Sequence, residues 1–382
     1  MPEEGSSTAR PLDRDEEFML EALGLARRIP DRPWPNPPVG ALVVRDGEVV
    51  GRGAHAGAGQ PHAEVVALAA AGERAGGATL YCTLEPCNHH GRTPPCSEAI
   101  LAAGIGRVVH AVADPNRSAT GGAARLRDAG VAVRGGVLAA EALELIWPYV
   151  CSDQFERPYI ELKTATSLDG RFGPAGATGG SPAYLTGEAA RRDVHDRRRW
   201  VDLVLVGHGT ARQDRPRLDT RLASEPPLGP SAPPLAGVVA RDGGHDAPLD
   251  RDHWLVFHAD TGPVHLAVDA TGVPCHTLPG GAVDPRDLVG AITARGLHAI
   301  MLEGGPRLAA AFLALGLVDR WIQYVAPCVV GEGPIWPDWT AAGDADGWSL
   351  TRVDRIGRDV RMIWDRRDFA STLAILAAAG GR

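Results

Sequence analysis

The chain alternates amphipathic stretches with short apolar runs. Residues 16–28 place Phe18, Leu20, Leu23 and Leu25 among polar side chains, the spacing of an amphipathic helix, and Pro30 ends it. The Pro-rich PWPNPPVG reads as a loop of fixed shape. Residues 41–44 and 48–50 flank Asp46-Gly47, a turn pair that predicts a hairpin. A helix opens near His62 through VVALAAAGERA, and residues 79–83 read as a buried strand. A helix follows Cys96, then a strand over 107–113, a helix over 124–129 and a strand over 131–134. Such alternation predicts an α/β sandwich with a mainly parallel sheet. Residues 139–149 read as a linking helix. A second alternating run opens at FERPYIELKTATSLDG, with VDLVLVG, LHAIMLEGG and RWIQYVAPCVVG as its clearest buried strands. EPPLGPSAPP reads as a surface insertion, and DFASTLAILAAAGGR as a small helix fading into a tail.

With 382 residues, the chain exceeds what one hydrophobic core organises. It divides into a flexible tail (1–14), a first domain (15–155), a second (156–367) and a C-terminal tail (368–382). A 44% hydrophobic and 23% charged composition suits a globular protein. The net charge of -8 and the 5% aromatic content argue against nucleic-acid binding, which wants basic grooves and stacking rings. The Arg-rich RRDVHDRRRW reads as a solvated helix with one inward Arg. No apolar run reaches membrane-spanning length, and the acidic first residues carry no apolar signal core, so a cytoplasmic location is expected. Six cysteines in a chain this long do not make a disulfide framework.

The cysteines gain meaning beside a histidine. His62-Ala63-Glu64 precedes Pro86-Cys87, and Cys96 follows nine positions later. One imidazole and two thiolates supply three zinc ligands and leave a fourth position for water. The metal brings that water's acidity towards neutrality, making hydroxide available, while a carboxylate beside the ligands shuttles protons. His-x-Glu followed by Pro-Cys and a second cysteine is the zinc-deaminase pattern, here with a longer gap. Pro95 before a helix start suits Cys96, whose thiolate a helix N-terminus favours. His89 and His90 lie in the intervening loop. A structural four-ligand zinc site using one of them is the competing reading, as is a zinc-stabilised scaffold without catalysis.

Beyond the metal motif, NPPVGALVVRDGEVVGRG, PHAEVVAL, TLYCTLEPCNHHGRTPPC and VADPN together resemble the bifunctional riboflavin-biosynthesis deaminase/reductase family. The resemblance continues through PYIELKTATSLDGR, GTARQDRPRLDTR, LEGGPRLAAAFL and LVDRWIQYVAPCVVG, covering residues 16–366. It implies a cytidine-deaminase-like three-layer α/β/α domain followed by a dihydrofolate-reductase-like α/β domain. It also implies deamination of 2,5-diamino-6-(5-phosphoribosylamino)pyrimidin-4-one, NADPH reduction of the ribosyl to the ribityl group, and self-association.

By the resemblance, His62, Cys87 and Cys96 hold zinc and Glu64 moves protons. Asn36, His89, His90, Arg92, Asp114 and Asn116 face the pyrimidine substrate. In the second half Lys163, Arg198, Leu218, Arg221 and Glu303 fall on substrate positions. Ala165, Tyr184, Thr210, Asp214 and Gly305 fall on NADPH-lining ones. The sequence departs from the family at Arg215, which replaces an acidic residue before Pro216, at Tyr184 in place of Trp, and at Arg117 after the DPN element. VVARDGGHDAP lacks a clear Asp-ended strand, and GPAGATGGSP is lengthened around Ser181. These departures motivate an alternative: a paralogue with a working deaminase and a degenerate or retasked reductase half.

Overall fold

The computed structural model describes residues 11–367 except 30–31, 33, 58, 92–93, 117–118, 175–183, 225–231, 241–243, 246–253, 260–264, 267–269, 276–281 and 338–346, together with 371 and 374. Arg92, Arg117, Ser181, most of EPPLGPSAPP and most of the C-terminal segment therefore lie outside the described residues. Contacts divide the chain into two units, one centred on Asn36–Ile146 and the other on Trp147–Leu373.

The first unit runs α1 (Arg14–Arg27), β1 (Gly40–Arg45), β2 (Glu48–Ala54), α2 (Ala63–Ala71), β3 (Thr79–Leu84), α3 (Cys96–Ala102), β4 (Arg107–Val112), α4 (Gly122–Asp128) and β5 (Ala132–Arg134). Its sheet order is β2-β1-β3-β4-β5. The sheet is mixed, contrary to the mainly parallel expectation: β1 lies antiparallel to both β2 and β3, whereas β3-β4 and β4-β5 are parallel. Gly40 sits under Ala22 of α1, while Gly53, paired with Ala41, sits under Ala63 of α2. Adjacent positions face opposite sides of a pleat. The two helices therefore cover opposite faces, giving three layers.

Helix α1 is fastened by charge. Asp13 caps its N-terminus in a capping box with Glu16. The Asp15 carboxylate accepts from Arg107 Nη1 and Nη2 at 2.8 and 2.7 Å, from Tyr81 Oη at 2.8 Å and from Arg134. The Arg107 hydrogen bonds, chiefly, hold its pKa down to about 2. A depressed carboxylate pKa stabilises the fold above its unfolded value and loses that effect as pH falls through the folded value. Asp15→Asn is thus expected to cost on the order of 1–2 kcal/mol at pH 7, allowing for solvent screening. In urea melts the gap between variant and wild type narrows from pH 5 towards pH 2; a gap independent of pH would contradict this account.

Helix α5 (Ala139–Phe155) leads into β6 (Tyr159–Ser167), α6 (Glu188–Arg198), β7 (Leu203–Gly207), α7 (His208–Asp214), β8 (Leu235–Val239), β9 (Gly244–His245), β10 (Trp254–Ala259), β11 (His265–Leu266), β12 (Ala270–Cys275), α8 (Pro285–Thr293), β13 (Ala299–Glu303), α9 (Pro306–Ala314), β14 (Arg320–Ala326), β15 (Trp348–Ile356) and β16 (Asp359–Arg366). The large sheet has the order β12-β10-β8-β7-β13-β6-β14-β16-β15; β9 and β11 form a separate pair. Strands from β12 to β14 run parallel, and β16 and β15 are antiparallel.

Period-2 alternation divides β6 between two environments. Ile160 and Leu162 join the apolar core with Leu203, Leu205, Ile300, Leu302, Leu288, Ile292 and Phe312. Glu161 and Lys163 point to the other face, where α6 lies. There Arg197 Nη1 donates to Glu161 at 3.2 Å, and Arg198 pairs with Glu303. This corrects the expectation of a solvated helix with one inward Arg. Val194, His195 and Arg198 are buried, and both Arg197 and Arg198 are pinned to sheet carboxylates. Among the described residues no helix is long and apolar enough to cross a membrane.

Candidate active sites

His62 occupies the N-cap of α2, and Cys96 opens α3 after Pro95. His62 Nδ1 lies 3.2 Å from Cys96 Sγ and 3.5 Å from Cys87 Sγ. The three donor atoms all lie within 4.8 Å of one another, the single such cluster among the described residues. Two soft sulfurs and one imidazole nitrogen converging in this way suit zinc and leave one tetrahedral position open. Neither His89 nor His90 joins the cluster.

Electrostatics divides the two thiols. The Cys96 thiol and His62 hydrogen-bond Cys87 and pull its pKa down; the same Cys87 contact pushes Cys96 up. The backbone N–H of Cys96 is also directed at Cys87 Sγ, 3.3 Å away. The first backbone N–H of α3 thus favours a thiolate at Cys87. Glu64, on the first turn of α2, is 4% exposed, and burial raises its pKa to about 7. Its carboxyl hydrogen-bonds Cys96, which sets it beside the donor triad.

Around this centre the sequence-predicted residues separate. Asn36 Nδ2 is 3.1 Å from His55 Nε2, and His55 Nδ1 is 3.2 Å from the Pro61 carbonyl. His55, absent from the sequence reading, therefore donates at Nδ1, accepts from Asn36 at Nε2 and fixes the orientation of that amide. Asp114 Oδ1 accepts the Asn116 amide at 2.9 Å, an Asx turn. His89 is half-buried, and its sealed Nδ1 has no hydrogen-bond partner among the described residues. His90 is exposed, with Nε2 at 3.5 Å from Glu98.

Glu85, also absent from the sequence reading, organises the neighbouring loops. Its carboxylate accepts from the amides of Asp114, Gly121 and Ala123 at 3.3, 3.2 and 3.0 Å and from the Thr120 hydroxyl at 3.2 Å. A charged residue ending an apolar strand was its signal. Gly122 sits so close to the Cys87 loop that a Cβ would lie 1.8 Å from the Pro86 carbonyl oxygen. Gly122→Ala is therefore expected to displace the Pro86-Cys87 backbone and weaken zinc affinity by about tenfold, the effect of disturbing a ligand's supporting shell. Competition with a chromogenic chelator measures it, and unchanged affinity would refute the packing argument.

The second unit holds a cavity of 840 Å³ at the C-terminal ends of the adjacent parallel strands β7, β13 and β6. Lys163, Arg198, Leu218, Arg221 and Glu303 line it, and so do Ala165, Tyr184, Thr210, Asp214 and Gly305. Arg198 grips Glu303 bidentately, Nε to Oε1 at 2.6 Å and Nη2 to Oε2 at 2.9 Å, and its Nη1 donates to the Asp219 carbonyl at 2.9 Å. Lys163 Nζ lies 3.8 Å from Glu303. Burial opposes ionisation of Glu303, but Arg198 and Lys163 outweigh it and hold its pKa down to about 2. Burial lowers the pKa of Lys163, against the attraction of Glu303 and Asp214.

Gly305 is the N-cap of α9 and Gly207 that of α7, and neither helix start has a side-chain cap. Uncapped helix starts beyond the carboxyl ends of parallel strands suit a dinucleotide's phosphates. Arg215 lines the cavity, and it and Leu218 adopt left-handed backbone, with φ of 42° and 49°. Such strain in non-glycine residues is characteristic of functional loops.

Comparison with known proteins agrees with both halves. Residues 12–112 match the cytidine and deoxycytidylate deaminase zinc-binding region, and residues 158–361 match the RibD C-terminal domain. The riboflavin biosynthesis protein RibD of Mycobacterium tuberculosis is 39% identical over 354 residues, covering 89% of this chain and 95% of the relative. That of Escherichia coli is 36% identical over 365 residues, covering 91% and 98%. Among solved structures, Acinetobacter baumannii RibD superposes with a TM-score of 0.73 at 32% identity, covering 92% of this chain and 99% of the other. A Thermotoga maritima diaminohydroxyphosphoribosylaminopyrimidine deaminase/5-amino-6-(5-phosphoribosylamino)uracil reductase gives 0.75 at 27% identity, with the same coverage.

Proposed function

The chain belongs to the family of bifunctional riboflavin-biosynthesis deaminase/reductases, and from that premise we propose that His62, Cys87 and Cys96 hold its zinc, that Glu64 carries protons, and that the second-unit cleft takes substrate and NADPH. The protein is an enzyme of riboflavin biosynthesis acting on a small phosphoribosylaminopyrimidine, with a zinc-dependent deaminase and an NADPH-dependent reductase activity. The observation carrying the residue assignment is the convergence of the His62, Cys87 and Cys96 donors beside the buried Glu64 carboxyl.

Zinc held there supplies the Lewis acidity that makes water nucleophilic at neutral pH. Glu64 takes a proton from the attacking water and returns it to the departing amine, so the ring carbon exchanges a C–N bond for C–O and ammonia leaves. Asn36, with its Nδ2 committed to His55, reads donors on the ring with Oδ1. We assign Asp114, Asn116, His89, His90 and Arg92 to the pyrimidine substrate.

In the second cleft, NADPH supplies the hydride that converts the ribosyl to the ribityl group. Lys163 gives a proton to the sugar oxygen as the ring opens. Arg198, Arg221, Leu218 and Glu303 hold the phosphosugar, while Ala165, Tyr184, Thr210, Asp214 and Gly305 border the cofactor. A retasked second half is not needed to explain Arg215, because Asp214 still shares its electrostatic field with Lys163. We assign the domains to 15–155 and 156–367 and place the enzyme in the cytosol, where its zinc-binding thiols stay reduced. Self-association completes the reading, supported by exposed Leu350 and Val353 on the edge strand β15.

Purified protein given the diaminopyrimidine substrate releases ammonia without NADPH, and oxidises NADPH to yield the ribityl product by mass spectrometry. No ammonia would remove the first assignment. Ammonia without NADPH oxidation would remove the second.

A further inference from the structure

One imidazole in the reductase cleft has no role in the scheme above. His195 lies on α6, three residues before Arg198, is 6% exposed and lines the cavity. Residues three apart share a helix face, so His195 and Arg198 both project towards the cleft. His195 Nδ1 faces the backbone N–H of Leu222, 3.4 Å away, which makes it an acceptor. An imidazole accepting at Nδ1 carries its proton at Nε2. That Nε2 has no hydrogen-bond partner among the described residues and is not sealed from the cleft.

The groups around the ring fix this state. Arg198 faces it from its own helix, Asp219 and Arg221 from the following loop, and Glu303 from β13. Burial first, and Arg198 next, pull its pKa down to about 4, so the ring is uncharged near neutrality. Asp219 Oδ1 is 3.9 Å from Nδ1, too far for a hydrogen bond, and is engaged by Arg221 Nη1 at 2.5 Å, while Asp219 Oδ2 pairs with Arg217 Nε at 3.3 Å. His195 is thereby an oriented, uncharged N–H donor at the edge of a cationic pocket. Its neighbours Arg198, Leu218 and Arg221, which line the same cavity, are the residues proposed above to hold the phosphosugar.

We propose that His195 is a further substrate-binding residue of the reductase site, accepting the Leu222 amide at Nδ1 and donating from Nε2 to a hydroxyl or phosphate oxygen of the phosphoribosyl group. The proposal rests on the reductase reading of the cleft. Its two halves can be separated chemically. Asparagine places an acceptor near Nδ1 but reaches no further; glutamine places an amide donor near Nε2 but cannot accept from Leu222.

His195→Asn is expected to raise the reductase KM for the deaminated phosphoribosyl substrate by about tenfold, the loss of one oriented hydrogen bond. The KM for NADPH and the thermal midpoint stay within error, and His195→Gln recovers most of the substrate KM. Wild-type substrate KM in His195→Asn would overturn the proposal. So would a parallel loss of substrate KM, NADPH KM and thermal midpoint in both variants, which marks a purely structural residue. Failure of the reductase reading itself is distinguishable, because the wild-type protein would then oxidise no NADPH.

Discussion

Glu64→Gln is expected to lower ammonia release by about 10³-fold while zinc remains bound at wild-type stoichiometry. A positioned acid–base group contributes roughly 10²- to 10⁴-fold, and this one serves both the attack of water and the departure of the amine. The substitution keeps the side chain's size and removes only its capacity to carry a proton. Glu64 is not among the three converging donors, so metal retention follows from the geometry. The carboxyl is buried and its pKa raised to about 7 by desolvation, so the neutral amide costs little stability. Cys87→Ser serves as the contrast, losing zinc and ammonia release together. Metal analysis alongside an ammonia assay separates the two variants. Normal turnover in Glu64→Gln, or zinc lost with activity, would remove Glu64 from the proton-carrying role.

What the sequence made legible was local. Asp46-Gly47 announced the β1-β2 hairpin because both residues adopt positive φ, 52° and 83°. The starts of α2 and α3 were marked by the residues that carry the metal chemistry, since a helix terminus positions side chains without long-range help. The hairpin fixed β1 and β2 as antiparallel, but not the direction of β1 against β3. Apolar β1 and β3 read as continuous buried runs, which do not distinguish the antiparallel pairing found from a parallel one.

Polar partnerships across long separations were equally hidden. Glu85 meets Thr120, Gly121 and Ala123 only because β3 and β4 end side by side. The α6 run looked solvated because it is rich in Arg. Its apolar residues are few, and its burial depends on carboxylates of β6 and β13 that lie 36 and 105 residues away. Lys163 pairs in register with Glu303 across two parallel strands, a neighbourhood that no spacing along the chain expresses.

Arg198→Met is expected to abolish measurable NADPH oxidation and to destabilise the second unit by about 3–5 kcal/mol, the cost of leaving a buried charge without its partner. The guanidinium makes two hydrogen bonds to Glu303 and one to the Asp219 carbonyl, with arginine and glutamate 8% and 9% exposed. Once it is removed, Glu303 keeps only Lys163, 3.8 Å away, and burial drives its pKa upward. In the wild type the depressed Glu303 pKa means that the pair stabilises the fold above the carboxyl's ordinary value and ceases to do so as pH falls through about 2. The variant's deficit therefore shrinks in acid. Adding Glu303→Leu separates folding from function. With both members of the pair gone, the cost of an unpaired Glu303 carboxylate is removed and stability returns part of the way towards wild type, Lys163 keeping only the attraction of Asp214. Activity does not return, because the cleft has lost the groups proposed to hold the phosphosugar. Urea unfolding followed by the tryptophans of the second unit reads the first effect, and NADPH absorbance reads the second. A double variant that regained both would show that the ion pair serves only the fold.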